Sequence, residues 1–161
     1  MLTEHPYGLR YLITALSSGP ALFNHLLVDL SPKEADYRPD PDRFTIREIM
    51  AHLAEWDVVF LNRIQRICAE EHPTLPGYDE GELALQHNYA ATDVAEQCRL
   101  FGERRTQLVD FLKGVPNDAW QRTADRPEIG IVMLEALVLL IPLHDSYHTA
   151  QVAQWRRQFV A

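Results

Sequence analysis

The sequence predicts an all-α protein, a four-helix bundle, on three observations. Leu, Ala, Glu, Arg and Gln dominate the composition, and these residues favour helix. Glycine is scarce, at 7 of 161 residues, and the alternation expected of strands is hard to find. Four stretches of about twenty residues repeat their apolar positions every 3.6 residues, and they are separated by capping signals or Pro/Gly-rich breaks.

The first long helix is expected from about Tyr7 to Asp29, with Pro6 at a first-turn position. Leu9, Leu12, Ile13, Leu16, Leu22, Phe23, Leu26 and Leu27 keep the helical period, and Gly19-Pro20 predicts a kink or break. Ser31 to Phe44 is rich in Pro and Asp and reads as a loop crossing the end of the molecule. Thr45-Ile46-Arg47-Glu48 is a capping box that opens the second long helix, which runs to about Glu70. Its apolar stripe is Ile46, Ile49, Leu53, Trp56, Phe60, Ile64 and Ile67. After a Pro/Gly loop from His72 to Gly81, Glu82 to Tyr89 forms an extra short helix between the second and third long helices. Asp93-Val94-Ala95-Glu96 caps the third long helix, which ends near Lys113 with Gly114 as its stop. Val115 to Gly130 is mixed, with one turn over Asn117 to Trp120 and loop elsewhere. The fourth long helix runs from about Ile131 to Phe159. These elements make a single bundle domain over residues 1–161.

Composition excludes several functions. Hydrophobic residues at 47% and charged residues at 24% describe an ordinary globular chain of a length that suits one core. The net charge is −8, and only short basic pairs occur, Arg104-Arg105 and Arg156-Arg157, so no nucleic-acid partner is expected. Cys68 and Cys98 form neither a disulfide framework nor a zinc knuckle. Met1 to Arg10 lacks the features of a signal peptide. The longest apolar run, Ala136 to Leu143, is too short to span a bilayer and contains Pro142. The expectation is a cytoplasmic protein with no membrane partner.

The most informative motif is Leu143-His144-Asp145-Ser146-Tyr147-His148. Four-residue spacing puts His144 and His148 on one helical face, one turn apart. With 7 histidines in 161 residues, chance alone gives roughly 0.3 such pairs, so placement matters more than spacing. Leu137, Ile141, His144, His148 and Gln151 or Val152 trace one stripe, which points both imidazoles into the bundle. Two readings follow: core histidines hydrogen-bonded to neighbouring helices, or ligands of one metal ion. His52 lies beside the core stripe of the second helix. Joined to the pair, it makes three neutral imidazoles, a donor set for zinc or a similar divalent ion with a position left open. His5, His25, His72 and His87 lie near helix ends, in loops or on solvent-facing positions and carry no such signal.

Other metal and catalytic motifs are absent: no His-Glu-x-x-His, no Glu-x-x-His, no Gly-rich phosphate loop and no Gly-x-Ser-x-Gly. Glu55, Asp57, Asp145 and Gln151 are candidates to brace the ligand rings from behind. Glu55 is one turn after His52, whereas Asp145 points about 100° away from His144. Trp56 and Arg63 share a side of the second helix with His52 and are candidates for the wall of a substrate cleft, with Arg63 holding an anion. The competing assignment puts Trp56 in the core and Arg63 on the surface. Pro142 predicts a bend in the last helix, which either aims His144 at the metal or is a local accommodation.

Two blocks resemble the DinB family, also described as DinB/YfiT-like metalloenzymes. One is Thr45-Ile46-Arg47-Glu48-Ile49-Met50-Ala51-His52-Leu53-Ala54-Glu55-Trp56-Asp57. The other is Leu143-His144-Asp145-Ser146-Tyr147-His148-Thr149-Ala150-Gln151. The resemblance covers essentially the whole chain. It implies a DinB/YfiT-type four-helix bundle with one divalent ion, zinc or nickel first and iron or manganese as alternatives, on the equivalents of His52, His144 and His148. It also implies a homodimer and a superfamily that includes S-transferases and isomerases dependent on small bacterial thiols. The expected function is a metal-dependent hydrolase or thiol-dependent S-transferase acting on a small molecule or low-molecular-weight thiol. The alternative is a non-catalytic, stress-associated metal-binding bundle.

Overall fold

The computed structural model describes residues 4–160. Residues 1–3 and 161 of the expected domain lie outside the described residues. Four long helices form the bundle: α1 (Gly8–Leu26), α3 (Ile46–Ala69), α5 (Val94–Lys113) and α6 (Leu134–Val160). Short helices α2 (Pro32–Ala35) and α4 (Glu80–Gln86) sit in the connections, and a small antiparallel hairpin pairs β1 (Thr123–Arg126) with β2 (Gly130–Met133). α1 and α3 each pack against both α5 and α6.

The expected helices are present, with three differences in the connections. Ser31 to Phe44 is not all loop. Ser31-Pro32-Lys33-Glu34 is a complete capping box: the Glu34 amide donates to the Ser31 hydroxyl and the Ser31 amide donates to the Glu34 carboxylate. The short helix after the second long one starts at Glu80, two residues earlier than expected, where Asp79 caps it. Residues Thr123 to Met133 form the hairpin, not loop and helix start. Gly130, at φ 83°, supplies the left-handed residue its turn requires. α6 therefore begins at Leu134.

Of the kink or break anticipated at Gly19-Pro20, the break does not occur, because α1 runs through both residues. Proline at position 20 has no amide to offer the Leu16 carbonyl. Arg105 replaces it, its Nη1 donating to Leu16 O at 3.1 Å. A side chain at Gly19 would put its Cβ 2.8 Å from Asp145 Oδ2 and 3.0 Å from Arg105 Nη1, so glycine makes room for this approach. All five N–H donors of Arg105 are used: two go to Asp57, two to Asp145 and one to Leu16. One buried guanidinium on α5 thus ties together α1, α3 and α6.

This polar layer divides the core. On one side pack Leu12, Leu16, Phe60, Ile64, Leu108 and Ile141, and on the other Phe23, Ile49, Leu53, Phe101, Val152 and Trp155. Along α6 the first cluster stops at Ile141 and the second resumes at Val152. The interval holds Asp145, His148 and Gln151, all buried. α6 passes through Pro142 as one continuous helix. Among the described residues no helix is long and apolar enough to cross a membrane, and Cys68 and Cys98 are free thiols.

Candidate metal centre

Two helices supply the centre. The Thr45/Glu48 capping box fixes the start of α3, with the Glu48 carboxylate also held by Arg38 at 2.7 Å. Seven residues beyond the cap, His52 points into the bundle with no solvent exposure. α6 carries His144 and His148 one turn apart. His52 Nε2 lies 2.8 Å from His144 Nε2, and His148 Nε2 lies 3.2 Å from His144 Nε2. One ligand nitrogen from each ring falls within 4.8 Å of the others.

This donor set fits a divalent ion. Ligands about 2.0–2.1 Å from a tetrahedral zinc lie roughly 3.3 Å from one another, close to the two short separations here. The tautomer of His148 also fits. Phe44 O accepts from Gln151 Nε2 at 3.0 Å and from Trp155 Nε1 at 2.9 Å, which orients the Gln151 amide. Its Oε1 then faces His148 Nδ1 at 3.2 Å, so Nδ1 carries the proton and Nε2 presents a lone pair to the cluster. The roles of His52 and His144 at their shared contact follow from their tautomers, and with the His148 proton on Nδ1 its Nε2 is free to accept or to ligate.

Burial keeps all three rings neutral. It lowers His52 strongly, with His144 and His148 adding to the effect. It lowers His144 to about 4, helped by the Arg105 charge, and His148 to about 3, helped by His144. The neutral imidazole is the form that binds metal. Phe44 and Trp56 flank His52, with ring centroids 5.3 and 5.5 Å away.

The remaining sequence candidates are distributed unevenly. Gln151 meets a ligand ring. Glu55 turns away from His52: it accepts from the Tyr89 hydroxyl and pairs with His87 Nδ1 at 2.6 Å. The i+3 step carries Glu55 toward the 3-10 turn at Tyr89–Ala91, and His52 Nδ1 has no hydrogen-bond partner among the described residues. Asp57 accepts from Arg105 at 2.8 Å and Asp145 accepts from it at 2.5 and 3.0 Å, so both brace the bundle. Burial pushes Asp57 up to about 6, against the pull of Arg105, as two carboxylates share one cation. Trp56 is core, as one of the two readings had it. Arg63 is not on the surface: it is 2% exposed.

The centre is reached from two sides. A cavity of about 440 Å³ is lined by Arg43, Phe44, Tyr147, His148 and Gln151, and one of about 400 Å³ by Trp56, Phe60, Arg63 and Arg126. His144 and Glu80 border both. Glu80, the first residue of α4, had no signal in the sequence beyond its place after a capping aspartate.

Known proteins share this fold. A relative from Oceanobacillus iheyensis, provisionally named a metal-dependent hydrolase, is 22% identical over 87% of this chain and 81% of its own. One of the same provisional name from Halalkalibacterium halodurans is 21% identical over 88% and 82%. Among solved structures, YfiT from Bacillus subtilis, described as an unusual four-helix bundle, superposes with a TM-score of 0.90 at 20% identity. That match covers 96% of this chain and 89% of YfiT. A mycothiol-dependent maleylpyruvate isomerase matches with a TM-score of 0.74 at 13% identity, over 94% of this chain and 62% of the isomerase. These likenesses establish the fold. The model of the DinB superfamily matches residues 15–152, a span that contains all three histidines and most of the bundle, and the chain belongs to that superfamily.

Proposed function

We propose that this protein is a metal-dependent enzyme, a hydrolase or a thiol-dependent S-transferase, with one divalent ion held by His52, His144 and His148. The observation that carries the reading is the convergence of three neutral ring nitrogens, one with its lone pair aimed by Gln151, beside cavities large enough for a small molecule. Zinc and nickel suit three imidazoles, as does iron, whereas manganese favours oxygen ligands and is the weakest candidate. When bound, such an ion supplies an acidified water or a stabilised thiolate. The relatives' provisional naming and the isomerase's dependence on mycothiol support these two chemistries.

The chain's own residues divide the remaining work. Gln151 holds the His148 proton on Nδ1. Phe44, Trp56 and Phe60 exclude water from one flank of the imidazoles. Glu80, whose carboxyl burial pushes up with help from Asp79, stands at the rim of both cavities as a group able to exchange a proton with a reactant. A non-catalytic ion would sit in a closed sphere, and the two cavities at His144 favour the enzyme.

The test is turnover by zinc- or nickel-loaded protein against small esters and amides, and against electrophiles with bacillithiol, mycothiol or glutathione. Turnover that requires metal and disappears in His148→Ala supports the proposal. Stoichiometric metal without turnover on any of these supports the non-catalytic alternative.

A further inference from the structure

The cavity beyond His144 contains a buried cation with no direct ion-pair partner among the described residues. Arg63 is 2% exposed, yet no carboxylate lies within ion-pair distance of it among the described residues. Its Nη2 donates to Pro76 O at 2.9 Å, and its guanidinium carbon stands 5.5 Å from the Trp56 ring and 5.4 Å from the Tyr78 ring. Its Nε is buried with no hydrogen-bond partner. By contrast, the other fully buried arginine, Arg105, uses every donor on two aspartates and a carbonyl. An unpaired buried charge is costly and is retained where it meets a ligand.

A second guanidinium enters the same cavity from β1. Arg126 Nε is likewise without a hydrogen bond, and its contact with Glu128 is long, at 3.7 Å. Burial and then the neighbouring Arg126 charge lower the Arg63 pKa, against a smaller upward pull from Tyr78 and Glu128, and Glu128 is shared at a distance by the two guanidinium groups. The rest of the wall is apolar or neutral: Trp56, Phe60, Leu140 and Leu143 lead from the arginines to His144. Glu80 is the one carboxylate of this lining, and it pairs with neither arginine.

We infer that this cavity binds the carboxylate of a small organic acid, with Arg63 gripping the anion and the acid's apolar body lying along Trp56 and Phe60 toward His144. A planar monoanion matches the open edge of one guanidinium. A phosphate dianion would meet Glu80 in the same wall. The inference deepens the proposed function, on which it relies only for the end of the ligand that reacts; the anion pocket stands on Arg63.

The experiment is calorimetric titration of benzoate, benzyl alcohol and inorganic phosphate into zinc-loaded and chelator-treated protein. Benzoate is expected to bind both forms. Arg63→Gln should weaken it about tenfold or more and Arg126→Gln a few-fold, with benzyl alcohol unaffected. Arg63→Lys keeps the charge without the fork and is expected to fall between. Arg63→Lys and Arg126→Gln carry the test if Arg63→Gln unfolds. Benzoate binding that requires zinc and ignores Arg63 puts the anion on the metal, overturning the inference while leaving the metal centre intact. Failure of benzoate to bind either form, or tighter binding of phosphate, also overturns it. Arg63-dependent binding in protein that takes up no zinc sustains it while the metal reading falls.

Discussion

Arg105 donates to the Leu16 carbonyl, the one backbone acceptor that Pro20 leaves without its helical partner. A proline in the middle of α1 and a charge in the middle of α5 compensate each other. With Asp57 and Asp145 they form a buried layer one residue away from the metal centre.

Removing the cation should therefore leave two carboxylates facing each other in the core. Arg105→Met is expected to destabilise the fold by about 3–5 kcal/mol, the range for breaking a buried pair from one side. Urea unfolding measures this. A change below about 1 kcal/mol, the scale of an exposed pair, would contradict the arrangement.

At Pro20 the expectation departs from the usual rule. Proline to alanine in a helix interior ordinarily gains about 3 kcal/mol. Here Pro20→Ala should gain much less, because the new amide competes with Arg105 for Leu16. Gly19→Ala, normally favourable in a helix, should instead cost about 1–3 kcal/mol through the close approach of Asp145. The same unfolding experiment reads both.

Gln151 orients the His148 ring through its own bond to Phe44 O. Gln151→Ala should weaken zinc or nickel binding about 10–100-fold and cost the metal-free fold about 1–3 kcal/mol, because the buried His148 Nδ1 proton loses its acceptor. Competition against a chelator of known affinity provides the measurement. Unchanged affinity would remove Gln151 from the account.

The pH dependence of the metal-free protein follows from the histidines. Their folded values lie below the unfolded value, with His144 at about 4 and His148 at about 3. Their contribution to stability is complete above about pH 6.5 and is lost as pH falls through those values, because the unfolded chain binds the protons first. Asp57, raised to about 6, works in the opposite sense: its contribution is present at low pH and lost as pH rises. Comparing wild type with His148→Leu isolates the histidine. The urea midpoint of the variant should fall less between pH 7 and 4. Equal losses would show that His148 is not buried neutral.

The histidine cluster is legible in the sequence because helical periodicity converts spacing into direction. His144 and His148 share a stripe with Leu137 and Ile141, and a complete capping box fixes the phase of His52. The Arg105 layer was invisible for the same reason. A charge within a helical pattern reads as solvent-facing unless its partners are known, and those partners lie on three other helices. For Arg63 the same logic leaves two readings open, cleft wall or surface, and only the structure shows that Tyr78 and Pro76 cover it. The hairpin was missed because its strands are only four residues each and their pairing fixes them more than their composition. Ser31-Pro32-Lys33-Glu34 was readable, and the surrounding Pro/Asp bias masked it.

The central claim is that His52, His144 and His148 hold one ion together. Its most direct test is the metal content of protein purified without a histidine tag and then loaded with zinc, with X-ray absorption at the metal edge. The account predicts one ion per chain with three imidazole ligands, and a rise in melting temperature on loading that His52→Ala, His144→Ala and His148→Ala each abolish. Substoichiometric metal in wild type, or a melting temperature that responds to zinc equally in all four proteins, would contradict it.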